Sequence, residues 1–204
     1  LKTKYRAKCL SIKCDVSNCI DVENMTKKIE KELGPIQILL NNAATKGNNL
    51  KEYFKPVESY NYDTWREIIS VNLDGMYLVA KEIGARMAKR KKGTIIQISS
   101  MYSSKMAADQ RIYKGSRYLK TTINTPTVYS VSKAGIVGLT LHLASYWASK
   151  KIRVNTLSPG GIYSGQNKVF RDNYSKTVPL GRMADKEEII GAILYLASDA
   201  SSYV

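Results

Sequence analysis

Short apolar runs alternate with helix-length amphipathic stretches along most of this chain, and that alternation narrows its fold more than any other feature. Ala7 to Val16 reads as a short buried strand. Asn18 to Leu33 then repeats apolar residues at Ile20, Val22, Met25, Ile29 and Leu33, as one face of a helix does, until Gly34-Pro35 stops it. Ile36 to Leu40 is a second apolar run, ending in Asn41-Asn42-Ala43-Ala44, and Asp63 to Arg90 predicts a long helix with Asp63 as its cap. Gly93 to Ile98 predicts a strand, Ser99 to Thr125 a long polar stretch, Thr127 to Ser149 a helix and Ile152 to Leu157 a strand. A loop rich in Gly and Ser follows, and Lys186 to Ser198 predicts a last helix. Apolar strands joined by helices imply right-handed crossovers and a parallel sheet covered on both faces, so the expected class is α/β, a doubly wound parallel sheet.

Ligands of such sheets bind beyond the carboxyl ends of the strands. The polar clusters after Leu40, Ile98 and Leu157 all fall on that edge, so three loops should converge on one crevice. No repeat, linker or low-complexity segment interrupts the pattern, and residues 1–204 are expected to form one domain.

Composition removes several alternatives. Apolar residues at 44% and charged residues at 24% describe a globular chain, unlike a disordered one. No run approaches the roughly 18 to 20 apolar residues that span a bilayer, and Leu1 to Lys8 is too basic and short for a secretory signal, so a cytoplasmic setting without a membrane partner is expected. Cys9, Cys14 and Cys19 are too widely spaced for a zinc knuckle, and His142 is the single histidine, so free buried thiols and no metal are expected. The net charge of +15 would attract phosphates or nucleic acid, yet it is dispersed. The one dense basic run, Lys89 to Lys92, ends a predicted helix and suits its dipole, so nucleic acid is not an expected partner.

Tyr129 and Lys133 lie four apart at the start of a predicted helix and share a face. Spacing alone is weak, since Tyr77 with Lys81 and Tyr146 with Lys150 repeat it inside long helices. Context separates the first pair: it follows a strand ending in Ser99-Ser100, precedes the small residues Ser132, Ala134 and Gly135, and opens its helix at the ligand edge.

With these pieces in order, the chain resembles the short-chain dehydrogenase/reductase family from end to end. The matching segments are Cys14-Asp15-Val16, Asn41-Asn42-Ala43-Ala44, Val71-Asn72-Leu73, Ile95-Ile96-Gln97-Ile98-Ser99-Ser100, Tyr129-Ser130-Val131-Ser132-Lys133, and Arg153-Val154-Asn155 leading to Ser158-Pro159-Gly160-Gly161. The resemblance implies a Rossmann-type domain and an NAD- or NADP-dependent oxidoreductase that moves a hydride between nicotinamide and an alcohol or carbonyl carbon. It also implies the roles. Tyr129 exchanges a proton with the substrate oxygen, and Lys133 supplies the charge that favours phenolate, since a phenol titrates near ~10 in water. Lys133 also donates to the nicotinamide ribose. Ser100 holds the substrate oxygen, and Asn72 bends its helix around a water that relays protons from Lys133. Asp15 and Val16 face the adenine, Asn42 and Ala43 the ribose, and Pro159, Gly160 and Ile162 the nicotinamide carboxamide. Each has a plainer reading: Asp15 as a cap, Asn72 as a satisfied helical amide, Gly160 as a turn glycine. A homodimer or homotetramer paired through the two long helices is a further implication, although the stripe Val131, Ile136, Val137, Leu139 and Leu143 suits either an interface or the sheet.

The chain departs from the family pattern at three places. The glycine-rich phosphate loop and the residue that chooses between NAD and NADP are not in it, so first strands and a last strand are expected outside this chain and either coenzyme stays open. The Asn-Asn-Ala-Ala segment ends in Ala44 where the family usually has glycine. Ser100 and Tyr129 stand 29 positions apart where the family commonly has about 13, which makes 101–126 an insertion of roughly 16 extra residues over the substrate side of the cleft. Its Asp109, Gln110, Arg111, Tyr113, Lys114, Arg117 and Tyr118 suit a small polar substrate, anionic or sugar-like; a solvent loop or an oligomer contact is the alternative. Arg111 to Gly115, with Ser158 to Ile162 and Gln166-Asn167, is similar to a subgroup associated with bacterial surface-sugar and flagellin-glycan pathways. A sugar or sugar-nucleotide alcohol is thus the expected substrate, a ketoacyl thioester or small ketone the alternative, and a non-catalytic nucleotide-binding relative the other class.

Overall fold

The computed structural model describes residues 7–103, 106–118 and 120–204. The opening residues 1–6, and Ser104, Lys105 and Leu119 of the expected insertion, lie outside this range.

Helix α1 (Cys19–Leu33) starts where the Asn18 side chain accepts from the amides of Ile20 and Asp21, and ends at Gly34, whose φ of +88° a side chain would resist. Strand β1 (Ile38–Asn41) follows, then the single turn α2 (Leu50–Tyr53). The long helix expected from Asp63 to Arg90 forms in three pieces: α3 (Tyr62–Ile69), a π turn (Ser70–Gly75) and α4 (Met76–Arg90). Its cap is Asn61, which accepts from the Thr64 amide, rather than Asp63, which sits in the first turn where negative charge suits the dipole.

Strand β2 (Gly93–Ile98) leads into a long excursion with a 3₁₀ turn at Gln110–Tyr113 and a short antiparallel pair, β3 (Arg117–Tyr118) with β4 (Thr121–Thr122). Helix α5 (Thr127–Trp147) and strand β5 (Ile152–Leu157) follow. The Gly/Ser loop after β5 contains a helix the pattern did not announce, α6 (Lys168–Ser175). The last predicted helix divides into a 3₁₀ turn, Lys186–Ile189, and α7 (Ile190–Ala197).

The strands pair in parallel in the order β1-β2-β5, with Ile38 opposite Thr94 and Gly93 opposite Ile152. Alternation along each strand sends Leu39, Ile95 and Val154 to one face, where they meet Val79, Ala80 and Ile83 of α4 and Leu143 and Trp147 of α5. Each such apolar side chain removed from water contributes about 1.5–3 kcal/mol before the entropy of ordering it. On the other face the Arg153 guanidinium donates to Thr94 Oγ1 at 3.1 Å and to the Leu196 carbonyl of α7 at 3.1 Å. Helices thus cover both faces, as a doubly wound sheet requires. The α5 stripe divides accordingly: Ile136 and Leu143 are buried, while Val131 faces outward.

Two expectations are corrected. Residues 7–15 form no strand; they run exposed or half-buried, and none of them has a ladder partner among the described residues. Alternate burial produced the strand-like pattern, with Cys14 and Val16 packing against the core, but a strand also needs a neighbour to exchange backbone hydrogen bonds. The cysteines are free but not buried: Cys9 and Cys14 are half-buried and Cys19 is exposed at the start of α1. No helix among the described residues is long and apolar enough to cross a membrane.

Candidate active site

All three strands end at one cleft of about 740 Å³. Asn42 and Ala44 reach it from β1, Ser99 to Tyr102 from β2, and Pro159 to Ile162 from β5; Tyr129 and Lys133 enter from the first two turns of α5. The convergence expected from the sequence is therefore physical.

Tyr129 is half-buried just after Pro126, where α5 begins. One turn on, Lys133 is only 5% exposed, and its Nζ donates to the Ile98 carbonyl at 2.9 Å. That is its one bond among the described residues, so two N–H donors stay available to a ligand. Burial lowers the amine from 10.5 to about 8, because a charged ammonium loses solvation there. Ser99 Oγ donates to the Lys133 carbonyl at 2.6 Å and locks the helix to the strand end. Ser100 is 6% exposed; its Oγ accepts from the Tyr102 amide at 3.2 Å, which leaves its own proton to give to a ligand oxygen.

Four expected residues stand off the cleft wall. Asn72 lies in the π turn, its Oδ1 accepting from the Thr45 amide at 2.7 Å and its Nδ2 donating to the Thr45 carbonyl at 3.0 Å, so its amide pins the loop after β1. Asp15 Oδ1 accepts from the Ser17 amide at 2.9 Å and hydroxyl at 2.7 Å, bonds that hold its carboxyl below the usual range. Val16 packs on the π turn so closely that a methyl group at Gly75 would come within 2.8 Å of it. Ala43 is exposed between Asn42 and Ala44. Asn42, Ser100, Tyr129, Lys133, Pro159, Gly160 and Ile162 all line the cleft.

The cleft also holds residues that no motif in the sequence announced. Tyr53 and Phe54 reach it from α2, and Phe170 and Tyr174 from α6, beside Tyr102 and Tyr113. Burial, with a further push from neighbouring Tyr129, holds the phenols of Tyr53, Tyr102, Tyr113 and Tyr174 above their ordinary value, so they remain neutral. Helix α6 is capped by Asn167, whose Oδ1 accepts from the Phe170 amide, and is tied to the 101–126 stretch by Asn173 Nδ2, which donates to the Lys114 carbonyl at 2.8 Å. A capping Asn followed by Phe170 and Tyr174 four apart was the available signal. Lys46 and Arg117 stand at the cleft as cations.

The family model described as enoyl-(acyl carrier protein) reductase matches residues 1–204. A short-chain dehydrogenase from Leptospira borgpetersenii, solved with bound NAD+, superposes with a TM-score of 0.84 at 32% identity, over 98% of this chain and 73% of that one. The chain belongs to the short-chain dehydrogenase/reductase family. Among its relatives, a sorbose reductase of Candida albicans is 32% identical over 100% of this chain and 67% of its own length. A gluconate 5-dehydrogenase from Burkholderia cenocepacia, solved with NADP and tartrate, is 30% identical, with a TM-score of 0.78 over 93% of this chain and 68% of that one. This short-chain dehydrogenase/reductase is accordingly an NAD(P)-dependent oxidoreductase acting on CH–OH groups. The residues present fit the coenzyme: a buried ammonium with two unspent donors lines the same cleft as the Pro159–Ile162 loop.

Proposed function

We propose that this enzyme interconverts a secondary alcohol and a ketone on a polyhydroxylated, sugar-like substrate, with Tyr129 as the acid/base. The aromatic wall carries the substrate reading. Tyr53, Tyr102 and Tyr113 offer flat apolar faces and neutral hydroxyls together, which suits a molecule with C–H faces and hydroxyl edges. Lys46 and Arg117 extend the class to polyhydroxy acids and phosphorylated sugars.

Bound nicotinamide supplies or accepts the hydride. Tyr129 Oη takes the hydroxyl proton during oxidation and returns it during reduction. Lys133, one turn on along the same helix, would bring its charge toward Tyr129, and its two unspent donors would hold ribose hydroxyls of the bound coenzyme. Ser100 donates to the substrate oxygen, where charge develops. The π turn that carries Asn72 packs against α5, Leu73 meeting Gly135, and would support the water relay from Lys133 that the family resemblance implies. By the family resemblance Asn42 and Ala43 would lie along the ribose, Asp15 and Val16 toward the adenine, and Pro159, Gly160 and Ile162 around the nicotinamide carboxamide. The 101–126 stretch covers the substrate side. Association into a homodimer or homotetramer would use outward residues of α5 such as Val131 and Leu141.

A 3-oxoacyl-(acyl-carrier-protein) reductase of Vibrio harveyi, 31% identical over 93% of this chain and 70% of its own, favours a second reading, reduction of a ketoacyl thioester. The surface-sugar subgroup has no namesake among the relatives described above, so the substrate reading rests on the cleft. A panel of polyols, aldonic acids, sugar phosphates, sugar nucleotides, small ketones and acetoacetyl thioester, assayed with both coenzymes, decides between them. A polyhydroxylated compound should exceed the thioester in kcat/KM by about tenfold or more, a margin of ~1.4 kcal/mol. Preference for the thioester would overturn the sugar reading.

A further inference from the structure

We infer that Tyr174 is a positioning residue, one that sets the Pro159–Ile162 loop and through it the nicotinamide end of the coenzyme. The inference rests on the proposed reading of that loop as the nicotinamide side of the cleft. Tyr174 is 3% exposed. Its Oη accepts from the Gly161 amide at 2.5 Å and donates to Met101 Sδ at 3.4 Å. The ring lies so close over the loop that a Cβ at Gly161 would stand 2.6 Å from Cζ and 2.8 Å from Oη. Gly161 is not among the glycines with positive φ, so the phenol requires glycine there and the backbone conformation does not.

The same phenol joins three parts of the cleft. Met101, which follows Ser100, donates its amide to the Pro159 carbonyl at 3.0 Å, and the Gly161 carbonyl accepts from the Ala184 amide at 2.9 Å. Helix α6, which carries Tyr174, is bound to the 101–126 stretch by Asn173 on the carbonyls of Ile112 and Lys114 and by Asn167 on Ser116. The Gly161 amide is thus aimed inward at a buried acceptor, and a loop that loses this acceptor must turn to find another. Tyr174 therefore acts on the coenzyme through Gly161, without touching the reacting atoms.

The test compares two ligands of the purified full-length protein: NAD+ or NADP+, whichever it binds more tightly, and the corresponding ADP-ribose, which lacks nicotinamide. Tyr174→Phe keeps the ring and removes the acceptor. It should raise the coenzyme Kd about fivefold, the worth of one ordinary hydrogen bond, and leave the ADP-ribose Kd unchanged. Gly161→Ala should weaken the coenzyme in the presence of Tyr174, and Tyr174→Ala combined with Gly161→Ala should bind no worse than Tyr174→Ala alone. Equal effects of Tyr174→Phe on both ligands, no effect on either, or additive losses in the double variant would overturn the role of Tyr174. A wild-type protein that binds ADP-ribose as tightly as the coenzyme, or binds neither, would instead overturn the reading of the loop itself, and this inference with it. If Tyr174→Phe fails to fold, the Gly161→Ala arm alone decides, since it retains the phenol.

Discussion

Lys133 carries a charge where the fold gives it little water, and its protonation is therefore tied to stability. In the unfolded chain the amine holds its proton to about 10.5; in the fold it releases it near 8. Unfolding takes up a proton between those values, so this group's contribution to stability rises with pH across that window and is least favourable below it. The penalty at neutral pH is about 3 kcal/mol. Subtracting the unfolding free energy of Lys133→Met from that of the wild type at several pH values should reveal a difference that climbs in favour of lysine from pH 8 to 10.5; a flat difference would contradict the buried-ammonium account. A cost of this size fits the role proposed for Lys133 in the cleft it shares with Tyr129. This pair was legible in the sequence because a four-residue spacing places both side chains on one helical face at a strand-ending edge. Asp15 was less so: a carboxylate three positions before Asn18 reads equally as an adenine contact or as a turn, and here its bonds go to Ser17. Tyr174 was hidden among 14 tyrosines, since nothing in sequence spacing relates it to Gly161.

The elements follow hydrophobic period closely where they are long. Helices α1, α4 and α5 and strands β2 and β5 repeat apolar residues long enough to identify themselves. Helix α6 spans eight residues inside a Gly- and Ser-rich loop, too short for a period to register, and the strand expected at 7–16 has no ladder neighbour among the described residues, something the pattern could not display. The π turn was equally silent, because a one-residue widening leaves the apolar spacing on either side intact. Packing between elements explains a glycine the sequence did not single out. Gly84 of α4 lies where an added methyl would overlap the Trp147 ring of α5, which is itself buried. Alanine would gain about 1 kcal/mol of helix propensity and lose more to overpacking, so Gly84→Ala should destabilise by ~1–2 kcal/mol, read as a lower urea midpoint with an unchanged slope. A stabilised variant would mean that α4 and α5 are not held at this distance.

At the scale of the molecule, three parallel strands with helices on both faces bring every predicted loop to one edge, and the cleft follows from topology more than from any single residue. The net charge of +15 is spread over the surface and partly paired, as where Glu30 of α1 meets Arg86 and Arg90 of α4 at 2.8 Å. Division of α5 between a buried face and an outward one, which the sequence left open, came from seeing which side the sheet occupies. In the proposed function this cleft performs oxidoreduction with Tyr129 as its acid/base. Reduced-nicotinamide absorbance, followed for wild type and Tyr129→Phe on the best polyhydroxylated substrate alongside coenzyme titrations of both, tests it most directly. The wild type should turn over, the variant's kcat should be lower by about 10²–10⁴-fold, and the coenzyme Kd should be the same for both. Wild-type turnover by Tyr129→Phe would remove Tyr129 from the chemistry.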